Sequence, residues 1–204
     1  MNFNESTTKT NLVRSFAAEC QAGARYQFMS KKALADQQKF LSDTMKTLAK
    51  NEMAHAKVFY DHIIEMSGGN VKNISFEAGY PFEVSELRNS LLEESKIEEA
   101  EATNIYPSFA RIAKDEGFDE IARSFQLVAN VEATHHKILQ YLGTIYKSNK
   151  MYKRNQPTEW KCSNCGNVKL DKEGWKECPL CTMTQGYIII DLEKELRNLE
   201  MVKD

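Results

Sequence analysis

The sequence predicts a mainly α protein, a four-helix bundle followed by a small C-terminal metal-knuckle domain. Three observations carry that expectation. Apolar residues keep a helical beat from about Glu5 to Lys147, the beat vanishes beyond about residue 150, and four of the five cysteines lie within residues 162–181 in two C-x-x-C pairs. At 204 residues the chain has room for one ordinary domain and a small second one.

The beat divides into segments of roughly 5–37, 40–67, 83–115 and 118–147. Gly117 is a stop signal between the last two, and Gly68, Gly69, Asn70 and Pro81 mark a longer connection between the second and third, as a bundle crossover requires. Pro107 removes one backbone hydrogen bond inside the third segment, so a kink is expected just after Glu98 and Glu101. The bundle domain is therefore placed at 1–148, and the polar stretch 149–158 reads as a linker. Residues 159–190 are too few and too turn-rich to hold a core without a staple. The tail, 191–204, has Leu192, Leu196 and Leu199 on one helical face.

Composition narrows the function classes. Hydrophobic residues at 42% and charged residues at 27% describe a soluble globular chain. The net charge of -2 is spread along the sequence, so no basic face points to nucleic acid or anionic lipid. Met1–Thr10 lacks the apolar run of a secretion signal, and the longest aliphatic stretch, Ile188–Ile190, is far short of a membrane span. A cytoplasmic location is expected. In a reducing compartment the paired cysteines favour a metal over disulfides.

The stripe that each helix should turn inward holds the chemistry. In the second segment it runs Leu41, Met45, Leu48, Glu52, His55, Phe59, His62, Met66; in the fourth, Ile121, Phe125, Val128, Glu132, His135, Leu139, Leu142. Both carry an E-x-x-H. The third gives Leu87, Leu91, Glu94, Glu98, Glu101, Ile105 and the first Leu12, Phe16, Glu19, Gly23, Tyr26. Several buried carboxylates without cations would be prohibitive, because desolvation and repulsion would push protons onto them. Residues at i and i+3 share a helical face, so each E-x-x-H offers an oxygen and a nitrogen to one metal, and Glu from two helices with E-x-x-H from two others is the donor set of di-iron and di-manganese bundles. The chain has only four histidines and two complete the motif. His62 and His136 read as a packing and a surface residue, Glu94 lies a turn from the pair Glu98 and Glu101 and is left out, and Cys20 reads as a small buried residue. Tyr26 and Tyr106 are core aromatics that could hydrogen-bond a liganding carboxylate. Cys162-Ser-Asn-Cys165 and Cys178-Pro-Leu-Cys181 form two knuckles able to face one tetrahedral metal, zinc or iron.

With Glu19, Glu52-Met-Ala-His55, Glu98-Glu-Ala-Glu101, Tyr106-Pro-Ser-Phe-Ala-Arg-Ile-Ala, Glu132-Ala-Thr-His135 and the paired C-x-x-C in this order, residues 5–190 resemble the rubrerythrins. The resemblance implies a ferritin-like domain first and a rubredoxin-like domain last. It implies three irons per chain, with a di-iron pair at Glu19, Glu52, His55, Glu98, Glu101, Glu132 and His135, and one iron at Cys162, Cys165, Cys178 and Cys181. Glu52 and Glu132 would be shared carboxylates, and His55 and Glu101 would alternate on one iron. The implied activity is reduction of hydrogen peroxide to water, fed through the one-iron site by a separate nicotinamide-dependent reductase or a rubredoxin, in a homodimer whose electrons cross between subunits. One departure stands out. Where the family commonly has a His and Pro after the last cysteine, this chain reads Thr182-Met183-Thr184-Gln185-Gly186-Tyr187. A ferroxidase or iron-handling protein would use the same bundle but has no need of the electron-transfer module. A peroxide sensor or zinc adaptor would require zinc at the cysteines.

Overall fold

A computed structural model of the chain describes residues 2–69, 71, 73–82 and 86–201, except for the side chains of 199–201. Helix α1 spans Thr7–Ala35, α2 Lys39–Met66, α3 Leu87–Ala100, α4 Tyr106–Asp115, α5 Asp119–Lys147 and α6 Leu192–Met201. Three strands, β1 Lys153–Cys162, β2 Val168–Glu173 and β3 Ile188–Ile189, form an antiparallel sheet in the order β2-β1-β3. The chain divides into two compact units: Met1–Gln27, Thr47–Val84 and Lys96–His136 form the first, and Phe28–Lys46, Ser85–Ser95 and Lys137–Asp204 the second.

In the first unit, Phe59, Tyr106 and Phe125 stack at ring separations of 5.1–6.0 Å, in a core completed by Leu12, Ile63 and Val128. The start of α1 is capped from far along the chain. Ser6 Oγ accepts from the Lys9 N–H at 3.1 Å, while the Glu116 carboxylate accepts from the N–H groups of Thr7 and Thr8 at 2.9 and 2.8 Å and from the Thr8 hydroxyl at 2.5 Å. A negative group here also faces the positive end of the helix dipole. Partial burial opposes ionisation of Glu116, but the Thr8 hydroxyl and the two N–H groups outweigh it and hold the carboxyl below its ordinary value of 4.5. Its stabilisation is thus complete above that value and is lost as pH falls through the lower folded value. Glu116→Ala should cost about 1 kcal/mol in denaturant unfolding at neutral pH, typical of losing a cap, and the gap from the parent should shrink in acid.

The expected kink takes a specific form. Glu101–Ile105 is a π turn, closed by the Tyr106 N–H donating to the Glu101 carbonyl five residues back, and Pro107 falls in the first turn of α4, where its missing N–H is tolerated.

In the second unit, Trp160, Trp175, Tyr152, Ile188 and Ile190 are buried around the sheet, and Trp160 Nε1 donates to the Asp171 carbonyl at 2.9 Å. Residues 153–158, read as linker from their polarity, are the first part of β1: Lys153 pairs with Glu173, and the register slips between Lys153 and Thr158, where Pro157 has no N–H to give. The tail forms α6, and Glu195 on it accepts from Arg154 Nε at 2.7 Å. Gly186 meets the α1–α2 turn so closely that a Cβ would lie 1.8 Å from the Gln37 carbonyl oxygen. Gly186→Ala should therefore force backbone apart and cost about 1–3 kcal/mol, read by chemical denaturation.

Candidate metal centres

Helices α1, α2, α3 and α5 bring Glu19, Glu52, His55, Glu98, Glu132 and His135 together inside the first unit. His55 is 9% exposed and the others at most 2%. His55 Nδ1 lies 2.9 Å from Glu132 Oε1, 3.3 Å from Glu19 Oε2 and 3.4 Å from Glu52 Oε2. His135 Nδ1 lies 2.8 Å from Glu132 Oε2, 2.9 Å from Glu52 Oε1 and 3.8 Å from Glu98 Oε2. Glu52 and Glu132 each turn one oxygen toward each histidine, which is the disposition of carboxylates shared between two cations. Two overlapping groups result, Glu19–Glu52–His55–Glu132 and Glu52–Glu98–Glu132–His135, each with its ligand atoms within 4.8 Å of one another.

These side chains fit metal ions better than they fit one another. Burial pushes Glu19 well above its ordinary value and Glu98 up to about 8. Burial also opposes ionisation of Glu52, but the adjoining His135 and His55 outweigh it and bring that carboxyl to about 2. Both histidines, though burial opposes their charging, are driven up to about 12 by Glu132 and the neighbouring carboxylates. Despite the crowding, Glu52 Oε1, Glu98 Oε2, both Glu132 oxygens and His135 Nδ1 lack a hydrogen bond. Buried polar atoms are rarely left this way. Ligands each about 2.1 Å from a shared cation lie at most about 4.2 Å apart, which covers the observed 2.8–3.8 Å.

A second ring of contacts holds the ligands. The Tyr26 hydroxyl donates to Glu98 Oε1 and the Tyr106 hydroxyl to Glu19 Oε1. Asn51 Nδ2 lies 3.2 Å from His135 Nε2. Once Nδ1 binds a metal, Nε2 carries the proton, and a flipped Asn51 amide would accept it. Sequence reasoning missed Asn51, since an Asn next to the motif Glu carries no periodic signal.

Glu101 stands apart. It is partly buried, lies in the π turn and lines a cavity instead of joining either group. Burial and the nearby Glu98 raise its carboxyl well above the ordinary value. Glu94 is buried but also outside both groups. His62 and His136 are both half-buried, and His62 Nε2 lies 2.8 Å from Ser124 Oγ. Cys20, read as buried, is half-exposed because it sits off the inward stripe.

The four cysteines of the second unit form another centre. Their sulfurs lie within 4.8 Å of one another, with Cys162–Cys181 and Cys165–Cys178 separations of 3.7 Å. A disulfide needs about 2.05 Å, whereas sulfurs placed tetrahedrally at about 2.3 Å from one metal lie about 3.8 Å apart. The Met183 N–H and the Asn164 side chain hold the Cys181 thiol down at about 6. At Cys165 an Asn167 N–H works in the same direction, but burial and the other three cysteines push the thiol up to about 12. Four thiols this close ionise together only around a cation. The second knuckle closes with the Thr182 N–H donating to the Cys178 carbonyl at 2.9 Å, at a φ of 57° for Thr182, while Gly166 serves the first knuckle at 75°.

A family model described as Rubrerythrin matches residues 10–143 and, in an overlapping segment, 90–159. The chain belongs to the rubrerythrin family. It is 36% identical to rubrerythrin-1 of Clostridium acetobutylicum over 90% of this chain and 93% of that one. The rubrerythrin of Clostridium perfringens is 35% identical, over 88% and 92%. Among solved structures, nigerythrin in a mixed-valence state aligns with a TM-score of 0.60 at 21% identity over 92% of each chain. The bacterioferritin of Desulfovibrio desulfuricans aligns at 0.53 and 21% over 72% of this chain and 87% of that one. The fold is that of a ferritin-like bundle with a small rubredoxin-like module, and the donor sets of both clusters fit iron. No helix among the described residues is long and apolar enough to cross a membrane.

Proposed function

We propose that this rubrerythrin-family chain is a cytoplasmic peroxidase that reduces hydrogen peroxide to water in defence against oxidative stress. It would bind three irons, two in the carboxylate–histidine cluster and one at the cysteines. The observation that carries this reading is the pair of overlapping donor groups with Glu52 and Glu132 common to both. When bound, a di-iron pair supplies two electrons together to peroxide, and the four-cysteine iron returns them singly.

The chain's own residues do the rest. Glu52 and Glu132 hold the two positions at a fixed spacing, and Glu19 with His55 and Glu98 with His135 complete one position each. Tyr26 and Tyr106 orient Glu98 and Glu19 through their hydroxyls. Glu101 is the spare carboxylate, one π turn from the cluster, that would exchange with His55 as the charge of the site changes. The near-complete burial of the ligands keeps bulk water out. Knuckle N–H groups directed at the sulfurs favour thiolate at the one-iron site. A separate nicotinamide-dependent reductase or a rubredoxin would feed that site, in a homodimer with transfer between subunits.

The test is a coupled anaerobic assay with NAD(P)H, a rubredoxin reductase and hydrogen peroxide. One NAD(P)H consumed per peroxide supports the peroxidase. Turnover with oxygen and Fe(II) but not with peroxide would support the ferroxidase instead.

A further inference from the structure

The first unit contains a cavity of about 450 Å³ that the peroxidase reading does not use. It lies between α1, the loop around residues 77–81, and the run from α3 through the π turn into α4. Glu101 and Tyr106 are among its lining residues, and Tyr106 is hydrogen-bonded to Glu19 of the carboxylate cluster. The cavity therefore borders the candidate di-iron site on the side where Glu101 stands clear of both donor groups.

Size and lining decide what it suits. A water occupies about 30 Å³ of liquid, so hydrogen peroxide, about two waters in bulk, would fill only a small part of the space. Most of the exposed lining is apolar, from residues such as Ala18, Pro81, Ile97, Ile105 and Phe109, and Arg14, Arg25 and Glu77 also border it. Set among them is Ser15, 2% exposed, whose Oγ is buried without a hydrogen-bond partner. The Tyr80 hydroxyl donates to the Arg14 carbonyl at 3.1 Å and ties the loop to α1. Apolar walls, a few polar groups and a volume of this order describe a small-molecule site.

Building on the peroxidase reading, we infer that this cavity binds the organic group of an alkyl or aryl hydroperoxide, making organic hydroperoxides substrates alongside hydrogen peroxide. The apolar group packs against Ile97, Ile105 and Phe109, Ser15 hydrogen-bonds an oxygen of the ligand, and the hydroperoxide end lies toward Glu101. In the reaction the O–O bond breaks. Two electrons, which a di-iron pair held by Glu52, Glu132 and their neighbours would supply, and two protons from solvent would complete one alcohol and one water.

Cumene hydroperoxide is the probe substrate, and its product alcohol, 2-phenyl-2-propanol, is the probe for binding alone. Titrating the alcohol into the holoprotein should shift the methyl NMR signals of Ala18, Ile97 and Ile105 selectively. In single turnover the reduced protein should be reoxidised by cumene hydroperoxide. Ala18→Phe, and independently Ala78→Phe on the exposed loop, should lower kcat/KM for it at least tenfold relative to that for hydrogen peroxide. If hydrogen peroxide turns over but cumene hydroperoxide is inert, or both variants leave the ratio unchanged, or no methyl shifts, the inference is overturned and the peroxidase reading stands. If neither peroxide reoxidises the protein, the peroxidase reading falls and takes the inference with it.

Discussion

His135→Ala should abolish peroxide-dependent turnover, with a loss of at least 100-fold, while the visible colour of the four-cysteine iron persists. His135 Nδ1 faces Glu132 and Glu52 at 2.8 and 2.9 Å, so its removal takes the histidine out of the Glu52–Glu98–Glu132–His135 group. What remains there is Glu52, Glu98 and Glu132, three buried carboxylates whose mutual repulsion returns once the cation is held less well. Changes merely behind a ligand typically cost 10–100-fold in metal affinity or activity, which sets the floor for losing the ligand itself. Glu98→Ala should act the same way, because it removes the carboxylate that Tyr26 orients. Iron content per chain should fall in both variants. Full activity in both would mean that the active site lies elsewhere.

Cys178→Ser should bleach the one-iron band and unfold the small module without melting the helices. The sheet is small, its β3 strand having only two residues, and the sulfurs are the staple that closes it. In small metal-folded domains the binding free energy is also the folding free energy, about 10–16 kcal/mol for zinc fingers at neutral pH, more than so small a core supplies. Both tryptophans of the chain, Trp160 and Trp175, are buried in this module. Their emission should shift to the red and rise in quenchability, while far-UV circular dichroism keeps most of its helical signal. A variant with native tryptophan emission would mean that the module holds itself together without the metal.

How much of this was legible in the sequence depends on the kind of signal. The stripes through Glu52–His55 and Glu132–His135 could be read because a helix repeats every 3.6 residues, so an i, i+3 polar pair inside an apolar row must point inward with it. The cysteine cluster was legible from spacing alone. The π turn at Glu101 was not legible by the same reasoning. Glu101 continues the α3 stripe on paper, but the π turn that begins there inserts an extra residue into the repeat, and Pro107 signals an irregularity without fixing where it falls. The cap on α1 was invisible because Glu116 lies more than a hundred positions from Thr7 and Thr8. Strand β1 was hidden by its polar start and Pro157, features that resemble a linker until the pairing of Lys153 with Glu173 is seen. Asn51 and Ser15 have no sequence signature, since what distinguishes them is a neighbour or the lack of one in space.

The most direct measurement is anaerobic stopped-flow on the fully reduced protein mixed with one equivalent of hydrogen peroxide, following the visible band of the four-cysteine iron. Fast reoxidation, with water as product and a much slower response to oxygen, is the expected result, since it requires both centres to hold iron and electrons to pass between them. A colourless protein that contains zinc, or a band that does not respond to peroxide, would contradict the electron relay and with it the peroxidase.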